Sequence, residues 1–175
     1  MIRFIALALA ASGLAAAAIP GPGTYTISQG NQSLGLGKGK GNVLFPQSNA
    51  ADSAQQWVLE SSSGSNCGTF NVKNAKFGTY LGYPPNNARP WGTIKGVDTS
   101  VEFTLFPGSN PNEFHLVSKD RLGVNIGPGG RLPRPGQERS DVVLKSQEGR
   151  EKPWVFKKVS APAGAAKPQE SCSPN

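Results

Sequence analysis

The chain has 175 residues, a formal net charge of +7, two cysteines and one histidine. That length suits a single domain with one modest core, and two distant cysteines with one histidine exclude a structural zinc site. Twenty-two glycines and fifteen prolines punctuate the sequence, which disfavours long helices and favours short strands joined by turns.

The first segment, Met1 to Ala18, carries Arg3, an apolar run through Ile5, Leu7 and Leu9, and then a block of alanines. This order predicts a secretory signal peptide (residues 1–18), with Ala16 and Ala18 in the small-residue cleavage pattern. The run is too short for a bilayer span, so no membrane insertion is expected and the mature protein is read as secreted and extracellular. A domain over 19–160 follows, then an Ala/Pro-rich tail over 161–175. In an oxidising compartment Cys67 and Cys172 either form one bridge that clips the tail to the domain or are free or intermolecularly paired thiols. Asn31-Gln32-Ser33 is an N-glycosylation sequon.

Along the domain one pattern recurs three times. Gly23-Thr24-Tyr25-Thr26-Ile27 returns as Gly68-Thr69-Phe70-Asn71-Val72, and more loosely as Asn112-Glu113-Phe114-His115-Leu116, at intervals of about 45 residues. Each copy alternates apolar with polar residues, the signature of a half-buried strand. A Leu-Gly-apolar element follows each: Leu34-Gly35-Leu36, Leu81-Gly82-Tyr83 and Leu122-Gly123-Val124. A third strand is predicted around Val43–Phe45, Gly92–Ile94 and Val142–Leu144, and an aromatic closes each unit at Trp57, Phe103 and Trp154. Three units of four strands are too few for a propeller. The expected architecture is all-β: a pseudo-threefold barrel capped by hairpins, with Tyr25, Phe70 and Phe114 sharing one core with the closing aromatics.

These residues carry a resemblance. Gly23–Ile27, Gln55-Gln56-Trp57 and Gly78-Thr79-Tyr80-Leu81-Gly82-Tyr83 resemble fungal β-trefoil proteins of the ricin-B-like lectin group, and the related trefoil protease inhibitors of mushrooms, over roughly Gly23 to Val159. The resemblance implies a β-trefoil that binds glycans in shallow pockets, one per unit. In each, an aspartate accepts hydrogen bonds from sugar hydroxyls while an aromatic ring covers the apolar sugar face. This chain departs from that pattern. The aspartate positions read Gly35, Gly82 and Gly123, and only the first unit keeps the Gln-x-Trp ending. A fold hosts many unrelated sites, so function must be argued from particular residues.

Catalytic chemistry is sparse. His115 alternates away from its apolar neighbours and has no partner constellation, and there is no nucleophile elbow. The run Gly35–Gly41 fits neither the dinucleotide fingerprint nor the phosphate-loop pattern. The chain is therefore read as non-catalytic, with no cofactor, no metal and no nucleic-acid partner. Lys38, Lys40, Arg89, Lys95, Arg131, Arg134 and Arg139 are spread over different loops, and sequence alone reads them as solvated charges rather than as a polyanion patch.

Two binding readings remain. The first is a glycan or cell-wall polysaccharide held by Tyr83, Asn86, Asn87 and Trp91 in the proline-stiffened segment Tyr83–Trp91; the bland alternative makes Tyr83 a barrel residue and Trp91 loop packing. The second is inhibition of an extracellular serine or cysteine protease through the loop Gly127–Gly136, presenting Arg131, Leu132 and Arg134. Preorganisation by three prolines would lower the ordering cost of docking that loop, and Arg131 suits an acidic pocket better than Arg134, which precedes a proline.

Overall fold

The computed structural model describes residues 19–38, 41–62, 68–128, 140–146 and 152–159. The predicted leader at 1–18, the predicted tail at 161–175, both cysteines and the segment with Arg131, Leu132 and Arg134 lie outside them. The first unit supplies β1 (Gly23–Gln29), β2 (Gln32–Leu36), β3 (Asn42–Phe45) and β4 (Gln56–Ser61). The second supplies β5 (Thr69–Asn74), β6 (Tyr80–Gly82), β7 (Lys95–Val97) and β8 (Glu102–Pro107). The third supplies β9 (Glu113–Ser118), β10 (Leu122–Pro128), β11 (Ser140–Ser146) and β12 (Trp154–Lys158). Among the described residues, no helix is long and apolar enough to cross a membrane.

The first and last strands of each unit close a ring. β1 pairs with β4, β4 with β5, β5 with β8, β8 with β9, β9 with β12 and β12 with β1, all antiparallel. The second and third strands form the hairpins β2–β3, β6–β7 and β10–β11. Each hairpin hangs from its barrel strand through β1–β2, β5–β6 or β9–β10 pairing. A six-stranded barrel with three hairpins is the β-trefoil architecture, and the described strands match the expected twelve.

Local chemistry punctuates the strands. Gly30, at φ 61°, opens the turn between β1 and β2, where Asn31 is exposed. The Asn74 carboxamide accepts from the backbone N–H groups of Lys76 and Phe77 at 3.1 and 3.2 Å and donates to the Ala54 carbonyl at 2.9 Å. It thereby fixes the turn after β5 against the entry to β4. Asp52 caps the short 3-10 helix Ser53–Gln55 by accepting from Ala54 N–H at 3.0 Å.

Tyr25, Phe70 and Phe114 are 5% exposed or less, and Trp57, Phe103 and Trp154 are fully buried in the same cluster. Phe156 meets both Tyr25 and Phe114 edge-on, with centroids 6.3 and 5.7 Å apart, so the first and third units interlock. Two indoles also satisfy their polar atoms: Trp57 Nε1 donates to the Leu34 carbonyl at 3.0 Å, and Trp154 Nε1 to the Val124 carbonyl at 2.7 Å. Each bond ties a closing strand to its own hairpin. The second unit has Phe103 there and no such donor.

One strand departs from the expectation. In the second unit the third strand falls at Lys95–Val97 rather than Gly92–Ile94. Backbone bonds to β11 capture the earlier segment: Trp91 N–H reaches the Leu144 carbonyl, Leu144 N–H reaches that of Gly92, and Ile94 N–H reaches that of Val142. A neighbouring unit thus competes for residues that the sequence pattern assigns to their own hairpin.

Replacing Trp57 or Trp154 by Phe leaves a buried carbonyl unpaired and is expected to cost about 1–3 kcal/mol each, whereas Phe103→Leu loses packing alone. Urea unfolding of the three variants checks this ranking through the midpoint at constant m-value.

Candidate functional site

The segment joining β6 to β7 folds over a short 3-10 turn, Pro85–Asn87, with Pro84 ahead of it in extended conformation. Its path is heavily determined. Asn87 N–H bonds the Pro84 carbonyl, Arg89 N–H that of Asn87, and Gly92 N–H that of Arg89, all within 2.9 Å. A Cβ at position 92 would collide with the Asn87 carbonyl, so only glycine allows the turn to close.

Trp91, immediately before it, is held at φ 66° and is 49% exposed. A bulky residue in the left-handed region is a genuine outlier, costing of order 1–3 kcal/mol, and it persists only where surrounding bonds over-determine it. Here those bonds run to β11. The indole lies beside the third unit's hairpin: a Cβ on Gly127 would meet Trp91 Cζ3 at 3.4 Å, and Lys145 Nζ stands 5.4 Å from the ring centroid. The site is therefore a junction of two units.

The residues singled out from the sequence separate. Asn86 is exposed, Asn87 half-buried and Trp91 half-exposed, all on the surface segment. Tyr83 is 6% exposed, belongs to the core, and donates its hydroxyl to Asp120 Oδ2 at 2.6 Å. Its ring packs into the core from the second unit's hairpin and offers no face to a sugar. Burial, followed by the hydrogen bond to Asp120, pushes the Tyr83 hydroxyl up to about 12. Lys145 was not legible as a site residue, because only the antiparallel β10–β11 register and the captured Gly92–Ile94 segment bring it to Trp91.

The glycines that follow Leu34 and Leu81 have a physical cause. A Cβ at Gly35 would stand 2.5 Å from Phe45 Cε2 and 2.8 Å from the Ala54 carbonyl, and one at Gly82 would stand 2.5 Å from Val97 Cγ2 and 2.9 Å from Val101 Cγ2. Both backbones lie flush against their neighbours, so no larger side chain fits. Within β10 of the third unit, Asn125 is 5% exposed, its Oδ1 accepts from Ile126 N–H at 2.9 Å, and its Nδ2 is buried without a partner. Among the described residues, no cluster of three histidine, cysteine or acidic side chains is placed to hold a metal.

The fold and this surface define a β-trefoil with an exposed aromatic at a unit junction. No protein-family model matches the sequence, and no curated protein matches it. Solved structures do match. The Rhizoctonia solani agglutinin aligns with TM-score 0.63 at 20% identity, covering 82% of this chain and 99% of its own. The Macrolepiota procera ricin B-like lectin, in complex with lactose, aligns at 0.61 and 18% identity over 80% of this chain and 98% of that one. The Polyporus squamosus lectin, bound to a human-type influenza-binding epitope, aligns at 0.62 and 21% identity over 79% of this chain, which spans 50% of the lectin's length. At these identities the likeness establishes the shared fold.

Two outcomes follow for this region. Tyr83→Phe removes a group whose folded value lies above its ordinary value near 10, so stability present below pH ~10 is lost as pH rises toward ~12. The variant is expected to lose less over that window in denaturation series, with a residual decline because burial also raises Tyr25. Gly82→Ala is expected to destabilise by about 1–3 kcal/mol through the Val97 and Val101 contacts, checked by thermal melting.

Proposed function

We propose that this protein is a secreted, non-catalytic carbohydrate-binding protein that receives a glycan on the surface around Trp91, with Asn86 and Asn87 as neighbouring hydrogen-bonding groups. The observation that carries the reading is the strained, half-exposed indole at φ 66°, held open to solvent by bonds from two units. Strain of this kind collects at ligand sites, and an indole covers sugar C–H groups at low entropic cost. Similarity of fold to lectins crystallised with lactose and with a sialylated epitope supports the same reading.

A shallow site of this type binds weakly, near millimolar or about −4 kcal/mol, and gains strength on polymeric ligands that offer repeated epitopes. The protease-inhibitor reading rests on Arg131, Leu132 and Arg134, which lie outside the described residues, and no observation favours it. Secretion belongs to the proposal through the leader at 1–18, and N-terminal sequencing of exported protein is expected to begin at Ile19.

A glycan array, followed by pull-down on cell-wall polysaccharide, tests the site. Trp91→Ala is expected to weaken binding about tenfold, equivalent to ~1.4 kcal/mol, with Trp91→Phe retaining part of it. Unchanged binding in Trp91→Ala at an unchanged melting temperature overturns the assignment.

A further inference from the structure

Cations scattered along the sequence converge in the fold. The three units meet one another at their third strands: Gly41, just before β3, bridges to Lys95 in β7, Thr93, just before β7, bridges to Val143 in β11, and β11 packs against β3. The three hairpins therefore gather into one region of the molecule, and they carry Lys38 between β2 and β3, Arg89 between β6 and β7, and Lys95 in β7, all exposed, with Lys145 in β11, whose ammonium stands over Trp91.

The charge balance differs sharply between the two parts of the fold. Among the described residues, the hairpins, from the start of each second strand to the end of each third, hold these four cations against one acid, Asp141. The barrel strands and remaining connections hold seven cations against six acids, including the Lys73–Glu60 pair at 3.6 Å. Much of the positive surplus of the described residues therefore sits on the hairpin end, around the exposed indole.

We infer that the hairpin end binds an anionic polysaccharide, with Trp91 stacking on a sugar ring while Lys38, Arg89, Lys95 and Lys145 pair with carboxylate or sulfate groups along the chain. This rests on the carbohydrate-binding reading and names the ligand class for it. Ammonium and guanidinium groups meet such anions through charge-assisted hydrogen bonds, and a surface of one sign raises the local concentration of the oppositely charged polymer. Cations spread over three hairpins suit a ligand with charges repeated along its length rather than a single monosaccharide.

The test measures binding of the full chain to immobilised polygalacturonate and to sulfated dextran, with uncharged dextran and a neutral β-glucan as comparators. Either anionic polymer is expected to bind and to release as salt rises to about 0.15 M; which of the two binds more tightly distinguishes carboxylate from sulfate. Lys95→Gln and Lys145→Gln are each expected to weaken binding roughly threefold to fivefold, while Lys157→Gln, on β12 of the barrel, leaves it unchanged. Salt-insensitive binding to neutral glycans that is lost in Trp91→Ala leaves the carbohydrate-binding reading standing and overturns the anionic one. Binding to no glycan overturns both. Equal retention of single-stranded DNA, unaffected by Trp91→Ala, also overturns the assignment, since a sugar-stacking indole would then have no part in it.

Discussion

Everything in this structure depends on three aromatic pairs burying one another around a shared axis. A single unit of four short strands has one apolar face and cannot cover it alone; only when Tyr25, Phe70 and Phe114 meet the closing Trp57, Phe103 and Trp154 does a continuous dry interior form. Fully burying each such ring contributes roughly 1.5–3 kcal/mol, and the edge-on contacts of Phe156 with Tyr25 and Phe114 add direction to that burial. Closure of the ring by β12 on β1 then leaves no barrel strand with an unpaired edge.

The same constraint reaches the surface. Because the hairpins seal one end of the core, their third strands are pressed against those of neighbouring units. The segment Gly92–Ile94 is taken into bonds with Leu144 and Val142 instead of extending its own hairpin. That capture holds Trp91 in a conformation a free loop would abandon. Rigidity generated by apolar burial thus supports local strain at an exposed residue, and the unit junction, rather than the interior of any one unit, becomes the distinctive surface. Close packing at Gly35 and Gly82 works in the opposite direction: it leaves no room for a side chain at either position.

The consequence is a surface that offers an indole and cations, with no carboxylate at Gly35 or Gly82. Such a surface favours stacking and attraction to negative charge over acceptance of hydroxyl hydrogen bonds by a carboxylate. The Tyr83 hydroxyl and Asp120, by contrast, satisfy each other and hold the second unit's hairpin to the turn between β9 and β10, so both serve the framework.

Much of the fold was legible in the sequence. Strand alternation and the threefold recurrence specify which side chains point inward, because period-two patterning and a repeated segment are local properties that any packing must respect. The core positions of both aromatic sets and the order of the strands follow from them. The site was legible only in part. Trp91 stood out as an aromatic in a stiff polar segment, but the role of Tyr83, just past β6, depended on whether its ring turned into the core, and sequence left that open. Lys145 came to the indole, and Lys38 and Lys95 to one end, through pairings between units that have no signature in a linear chain. Burial patterns are written residue by residue, whereas the meeting of distant loops is decided by how three similar units close on one another.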